Sequence, residues 1–261
     1  MEKLLATAIE AAQNAGKRLV EFQGTAKITQ KGSTQNLVTQ ADIESEQIIK
    51  DLISKTYPDH RVLCEEGQST GEADDDHLWV IDPLDATNNY AHGIPHYSIS
   101  IAYAEKGILK AAVVLDPTRD ELFTAIKGQG AFLNDQPIHV SPSEQLQESI
   151  VGTGFYYDRG ELMRKTLAGI DRLFSNNIRG IRRMGSAAID LAWVACGRYE
   201  AFFEYKLAPW DYAAGILLIH EAGGRCSDRD GNPIELSSEN IIATNSKTFD
   251  SILPLVKWQQ S

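Results

Sequence analysis

The sequence predicts a mixed protein, α+β in its first half and α/β in its second. Three observations carry this. Two stretches of helical apolar spacing occupy the first 57 residues. Residues 78 to 133 then crowd into apolar, β-branched runs divided by Gly, Pro and Asp, the pattern of an antiparallel meander. From residue 150 onward, strand-like and helix-like runs take turns.

Taken in order, "MEKLLATAIEAAQNAGKRLVEF" places Leu4, Leu5, Ala8, Ile9, Ala12, Ala15, Leu19 and Val20 near one helical face. "KITQKGSTQNLVTQAD" is rich in turn-forming residues. A second helix, roughly 42 to 57, offers Ile43, Ile48, Ile49, Leu52 and Ile53 to a core. "RVLCEEG" reads as a short strand ending in Glu65 and Glu66, and "GEADDDH" as a solvated loop. "LWVID", "YSISIAYAEKG", "ILKAAVVLDPTRDELFTAIKG" and "GAFLN" form the meander. The G-x-G of residues 128 to 130 is a turn, because no G-x-G-x-x-G fingerprint is completed. Then follow a strand in "SIVGTGF", helices in "ELMRKTLAGIDRLFS" and "GSAAIDLAWVACG", a strand in "YEAFFEY", a helix in "WDYAAGILLIHEAG", a strand in "NIIATN", and a last helix from Ser246. A boundary near residue 145, in "SPSEQLQES", separates portions 1–145 and 146–261 of one compact unit without a flexible joint.

The formal net charge of -11 excludes a general nucleic-acid binder, which presents a basic stripe. It does not exclude phosphorylated substrates, since clustered acids hold divalent cations and the cations hold phosphate. Cys64, Cys196 and Cys226 are far apart and match no zinc spacing, as expected of free thiols in a reducing cytosol. Neither a signal peptide nor the ~20 apolar residues of a membrane span is present, so a cytoplasmic protein without membrane contact is the default expectation.

The chemistry concentrates in "WVIDPLDATNNY", residues 79 to 90. Pro83 cannot continue a central ladder, so the chain is expected to leave the sheet there, with Asp82 and Asp85 at a strand end. A helix starting after Asp85 offers free N–H groups to an anion. Two adjacent carboxylates repel each other, and a divalent cation with a taste for oxygen ligands, Mg²⁺, removes the cost. The alternative is a pair of N-caps on a surface turn. "CEEG" brings further acids to another strand end, and "PWDYAAG" puts Asp211 at a helix opening, where it could equally be a capping residue. Together they have the makings of a two-metal site.

These residues resemble the signatures of the inositol monophosphatase family, within the lithium-sensitive, Mg²⁺-dependent sugar-phosphatase superfamily. Residues 79 to 90 resemble W-[IV]-[IV]-D-P-[IL]-D-G-T-x-N-[FY] with one exception, and Trp210 to Gly215 match W-D-x-A-A-G. "CEEG" is similar to the family's G-E-E element and "NLVTQAD", 36 to 42, to its D-L-V-T-x-x-D element, so the likeness covers nearly the whole chain. The resemblance implies a five-layered αβαβα sandwich of the inositol monophosphatase / fructose-1,6-bisphosphatase type. It also implies two or three Mg²⁺ ions, with Mn²⁺ as a substitute, and a homodimer.

Residue by residue, it implies that Glu65, Asp82, Asp85, Asp211 and the Leu84 carbonyl bind metal. Thr87, Asp42 and Glu65 would orient or activate water. Backbone N–H groups of Ala86 and Thr87 would hold phosphate. Ala187 and Glu204 would line the leaving-group pocket, with Asp85 and Asp211 also touching substrate. The implied reaction is hydrolysis of inositol monophosphate by direct attack of a metal-activated water, without a phosphoenzyme. Histidinol phosphate, fructose 1,6-bisphosphate, adenosine 3',5'-bisphosphate and NADP remain alternative substrates, since a carboxylate at Glu204 suits a polyol or an ammonium group. Two departures motivate a reading of another class, a catalytically weak phosphosugar-binding regulatory protein. Ala86 stands where the family has glycine, and Asn36 where it has aspartate. Ala86 matters most if its φ is positive. Tyr156 and Tyr157 either border the leaving group or pack, His220 packs or caps, and Arg183 stays unassigned between Asp190 and a dimer contact.

Overall fold

The computed structural model describes residues 1–25, 28–30, 37–157 and 159–257. Asn36, a departure from the family pattern, lies outside them.

Five layers stack. Helices α1 (Glu2–Phe22) and α2 (Gln40–Thr56) cover one face of a seven-stranded sheet. Its order is β3 (Arg61–Cys64), β4 (Leu78–Asp85), β5 (Ser98–Glu105), β6 (Ile108–Asp116), β7 (Glu121–Ile126), β8 (Ala131–Leu133) and β9 (Gln136–Ile138). All neighbours pair antiparallel except β3 and β4. The other face packs on α5 (Ala187–Ala195) and α6 (Pro209–Glu221). Those helices rest in turn on a five-stranded sheet ordered β11 (Gly180–Arg182), β10 (Ile150–Thr153), β12 (Ala201–Glu204), β14 (Ile241–Thr244) and β13 (Arg225–Ser227). Helices α4 (Glu161–Ser175) and α7 (Phe249–Val256) close the stack. A small ribbon of β1 (Ile28–Gln30) and β2 (Leu37–Thr39), and the short α3 (Thr87–Ala91), complete the elements used below.

The apolar run of β4 follows from its place. Trp79 and Ile81 face the α1–α2 core, while Leu78 and Val80 face the α5–α6 core, so both faces are buried. In β12, Phe202 and Phe203 divide in the same way between the middle and outer cores. Small residues let α1 lie close to the sheet: Ala8, Ala11, Ala12 and Ala15 are buried, and a Cβ at Gly16 would come within 2.8 Å of Leu115. The 128–131 turn is confirmed, with Gly128 and Gly130 at φ +79° and +87° and their N–H groups donating to Glu221 at 2.8 and 2.9 Å.

Three expectations need correction. Val20 and Ile43, assigned to core faces, are 49% and 57% exposed, because at about 100° per residue each falls outside the face that its helix buries. The chain does not leave the sheet at Pro83. Strand β4 continues to Asp85 through a register shift between Asp82 and Asp85, a bulge that accommodates the missing N–H. The three-residue strands β1, β2, β9, β11 and β13 went unforeseen, β1 and β2 within the segment expected to be turn, since they are too short to show a period.

Candidate active site

The bulge in β4 turns Asp82 and Asp85 into one cavity of about 510 Å³, where Glu65 from the end of β3 and Asp211 from the start of α6 also reach. One oxygen each from Asp82, Asp85 and Asp211 lies within 4.8 Å of the others. Each carboxylate is fixed by N–H donors. Asp82 Oδ1 accepts from Leu84 N at 3.0 Å. Asp85 Oδ2 accepts from Ser186 Oγ at 2.5 Å, Ala188 N at 2.8 Å and Ser98 Oγ at 3.4 Å. Asp211 Oδ2 accepts from Ala208 N at 2.6 Å. Asp211 is therefore a helix-capping residue and a member of the acidic cluster at once.

Burial raises the pKa of all three, and their negative neighbours push Asp82 and Asp211 well above the ordinary carboxylate range. For Asp82 the neighbours are Glu65, Asp85 and Asp211. For Asp85 the donors from Ser186 and Ala188 oppose the rise. A cluster of this kind, dry and mutually repelling, with hard oxygen donors converging, fits a divalent cation.

Asp42 and Thr87 form a second unit beside it. Thr39 caps α2, accepting from Ala41 N and Asp42 N at 3.1 and 3.4 Å, while Asp42 Oδ2 accepts from Thr39 N at 2.8 Å, a reciprocal capping box. The other oxygen of Asp42 accepts from Thr87 Oγ1 at 2.8 Å. The Leu84 carbonyl is the alternative acceptor for Thr87, at 3.1 Å. Between them Ala86 sits at φ +73°, in the left-handed region. An L-residue there carries about 1–2 kcal/mol of strain. The family's glycine would be free of it.

The far end of the cavity is lined by Glu204, Ala187, Arg183, Tyr156 and Tyr157. Glu204 is 8% exposed and accepts no hydrogen bond among the described residues. Burial lifts its carboxyl to about 8, against a smaller opposing pull from Arg183. Gly154 makes room for it, since a Cβ there would fall 1.8 Å from Glu204 Oε2. Tyr156 and Tyr157 are 43% and 38% exposed, which excludes core packing and leaves them at the cavity wall. The Tyr157 hydroxyl accepts from Asn88 Nδ2 at 3.4 Å; burial, then the charges of Glu65, Asp211 and Asp85, push it up to about 12. His220 lies exposed in the last turn of α6. Arg183 reaches the cavity, and its effect on both Asp190 and Glu204 is electrostatic.

All ten expected site residues are thus gathered around one hollow or bonded to its lining. Sequence reasoning missed Ser98, Ser186 and Gly154. Ser186 could have been found as the N-cap before an apolar helix, accepting from Ile189 N at 3.2 Å; Ser98 and Gly154 carry no local signal.

The chain is similar to known proteins over nearly its whole length. The model of the "Inositol monophosphatase family" matches residues 1–260. The Nus factor SuhB of Pseudomonas aeruginosa is 41% identical over 264 residues, covering 98% of this chain and 97% of that protein. The crystal structure of extragenic suppressor protein suhB from Bartonella henselae superimposes with a TM-score of 0.92 at 37% identity, covering 99% and 100% of the two chains. Inositol monophosphatase from Anabaena (Nostoc) sp. PCC 7120 does so with a TM-score of 0.88 at 38% identity, covering 98% and 95%.

Proposed function

The chain belongs to the inositol monophosphatase family, and we propose that it is a Mg²⁺-dependent phosphomonoesterase that hydrolyses inositol monophosphate. The supporting observation is the polarity of the cavity: carboxylates converging at one end, the buried Glu204 carboxyl without a hydrogen-bond partner among the described residues at the other.

Glu65, Asp82, Asp85, Asp211 and the Leu84 carbonyl would hold the cations. When bound, they supply positive charge to the phosphoryl oxygens and the departing alkoxide and acidify water. The residues of the chain do the rest. Thr87, whose proton goes to Asp42, orients the attacking water through its oxygen, and Asp42 is the acceptor that sets the direction of that hydroxyl. Glu65 shares the work of receiving the water's proton. The left-handed turn at Ala86 directs successive backbone N–H groups at the phosphate. Glu204 accepts hydrogen bonds from the hydroxyls of the leaving group, and Ala187 leaves space for its ring. An amino-alcohol ester such as histidinol phosphate is the nearest competitor, because an ammonium group satisfies the same carboxylate.

The experiment is phosphate release, with Mg²⁺ and with EDTA, from inositol 1-phosphate, histidinol phosphate, fructose 1,6-bisphosphate, adenosine 3',5'-bisphosphate and NADP. Metal-dependent turnover highest on inositol 1-phosphate is expected. Preference for another ester corrects the substrate and keeps the chemistry. A second reading, a binding or regulatory role with weak catalysis, is favoured by the strain at Ala86 and by the relative named Nus factor SuhB. It predicts Mg²⁺ binding without turnover on the whole panel.

A further inference from the structure

At the cavity wall, with Asp190 in the lining and His96 behind it, stands a buried pair that the proposed chemistry does not use. His96 and Asp190 are each 1% exposed. Neither ring nitrogen of His96, nor Oδ1 of Asp190, has a hydrogen-bond partner among the described residues. Yet His96 Nε2 and Asp190 Oδ1 face each other at 4.0 Å. Buried polar groups are rarely left this way without a reason.

Their positions in the fold supply one. His96 lies two residues before Ser98, at the start of β5. Asp190 lies in the first turns of α5, just beyond Ser186 and Ala188. Ser98, Ser186 and Ala188 are the three donors to Asp85 Oδ2. The pair therefore bridges the two segments, distant in sequence, that grip one carboxylate. A second tie runs alongside: Asn89 Nδ2 donates to His96 O at 2.7 Å and to Met184 O at 2.9 Å, just before α5.

We propose that His96 and Asp190 are a positioning pair for Asp85, set against each other across the joint between β5 and α5 and so fixing the three donors that hold Oδ2 while the other oxygen stays free for a cation. The inference rests on the reading of Asp85 as a metal ligand. A pair without net charge suits a site already crowded with carboxylates. Asp190 faces Asp85, Glu204, Arg183 and the Tyr199 hydroxyl. His96 faces the Asp116–Arg119 ion pair and the edge of the Trp193 ring at 5.4 Å. Burial holds the imidazole down to about 4 and lifts the Asp190 carboxyl well above its usual range, so the surroundings favour the neutral form of both groups.

The test is Mn²⁺ binding to the full chain, followed by electron paramagnetic resonance, beside Mg²⁺-dependent kinetics. Asp190→Asn keeps a donor toward His96 and is expected to bind Mn²⁺ as the parent does. His96→Phe and Asp190→Leu are expected to bind it about tenfold more weakly, with KM for the phosphate ester unmoved, and the double variant no more weakly than either. Single variants that melt earlier but keep the parent's Mn²⁺ affinity would reduce the pair to a structural contact and overturn the proposal, as would additive losses. Should the apolar variants fail to fold, ¹⁵N resonances of His96 in the unaltered chain decide. They are expected to stay those of a neutral ring between about pH 5.5 and 8.5, and an ordinary histidine titration there sinks the idea. A parent chain that binds no Mn²⁺ at all fails differently: it removes the metal-site reading, and the proposal with it.

Discussion

Asp85 and Glu204 are buried to nearly the same degree, 7% and 8% exposed, in one cavity, yet they are held in opposite ways. Asp85 accepts from three donors drawn from two distant segments. Glu204 accepts from none among the described residues, and the chain leaves out a side chain at Gly154 to give it space. A carboxylate surrounded by donors is prepared to stay charged and to serve a cation with its remaining oxygen. A carboxyl without donors keeps its proton until a ligand brings hydroxyl or ammonium partners. Each end of the cavity is incomplete, one for want of positive charge and the other for want of hydrogen-bond donors. A phosphorylated polyol with its cations supplies both.

The largest expected effect breaks the donor-rich end. Asp85→Asn and Asp211→Asn should each lower Mg²⁺-dependent phosphate release by at least ~10³-fold, because the amide cannot balance the cation's charge. Circular dichroism should show the fold retained. Full activity in Asp211→Asn would detach the acidic cluster from the reaction. Next comes Thr87→Ala, which removes the hydroxyl held by Asp42. A fall in kcat on the order of 10²-fold with little change in KM is expected; the reverse split would make Thr87 a binding group.

Glu204→Gln tests the donor-poor end. KM for inositol 1-phosphate should rise about tenfold, a cost of about 1.4 kcal/mol, with kcat changed less. The same variant has a stability signature. The folded Glu204 carboxyl titrates near 8, above its unfolded value of 4.5, so its folded state holds the proton more tightly. The resulting stabilisation is fully present below pH 4.5 and is lost as pH rises through about 8. In EDTA, Glu204→Gln should therefore melt like the parent chain at pH 4.5 and be more stable at pH 9, by on the order of 3 kcal/mol. Equal melting at both values would mean that Glu204 is solvated. The smallest effect is expected at Ala86. Glycine would relieve about 1–2 kcal/mol of left-handed strain but add about 0.5–1 kcal/mol of unfolded-state entropy. Chemical denaturation should find Ala86→Gly within about 1 kcal/mol of the parent, on the stabilised side. Higher turnover in that variant would trace weak catalysis to the strained turn.

Much of the frame was legible because its signals are local. The helix "ELMRKTLAGIDRLFS" is α4 from end to end, since its apolar period and its boundaries all lie within the segment. "LWVID" declared a doubly buried strand by being apolar without alternation. The acids of the site were legible too, as each falls within a matched motif. Pro83 misled because a bulge depends on the partner strand, β5, which the residue itself does not encode. Val20 and Ile43 misled because periodicity gives a face its direction but not its width.

The sequence by itself determined the alternation of elements, the identity of the acidic residues and the presence of an alanine where a glycine is usual. These depend on residue type and on spacing within a few turns of chain. Only the tertiary structure decided that Ala86 is left-handed, that Ser98 and Ser186 meet at one oxygen of Asp85, that Gly154 yields its space to Glu204, and that His96 faces Asp190. Those contacts join residues up to about a hundred positions apart, and they exist only once two sheets and the helices between them have closed on a common cavity.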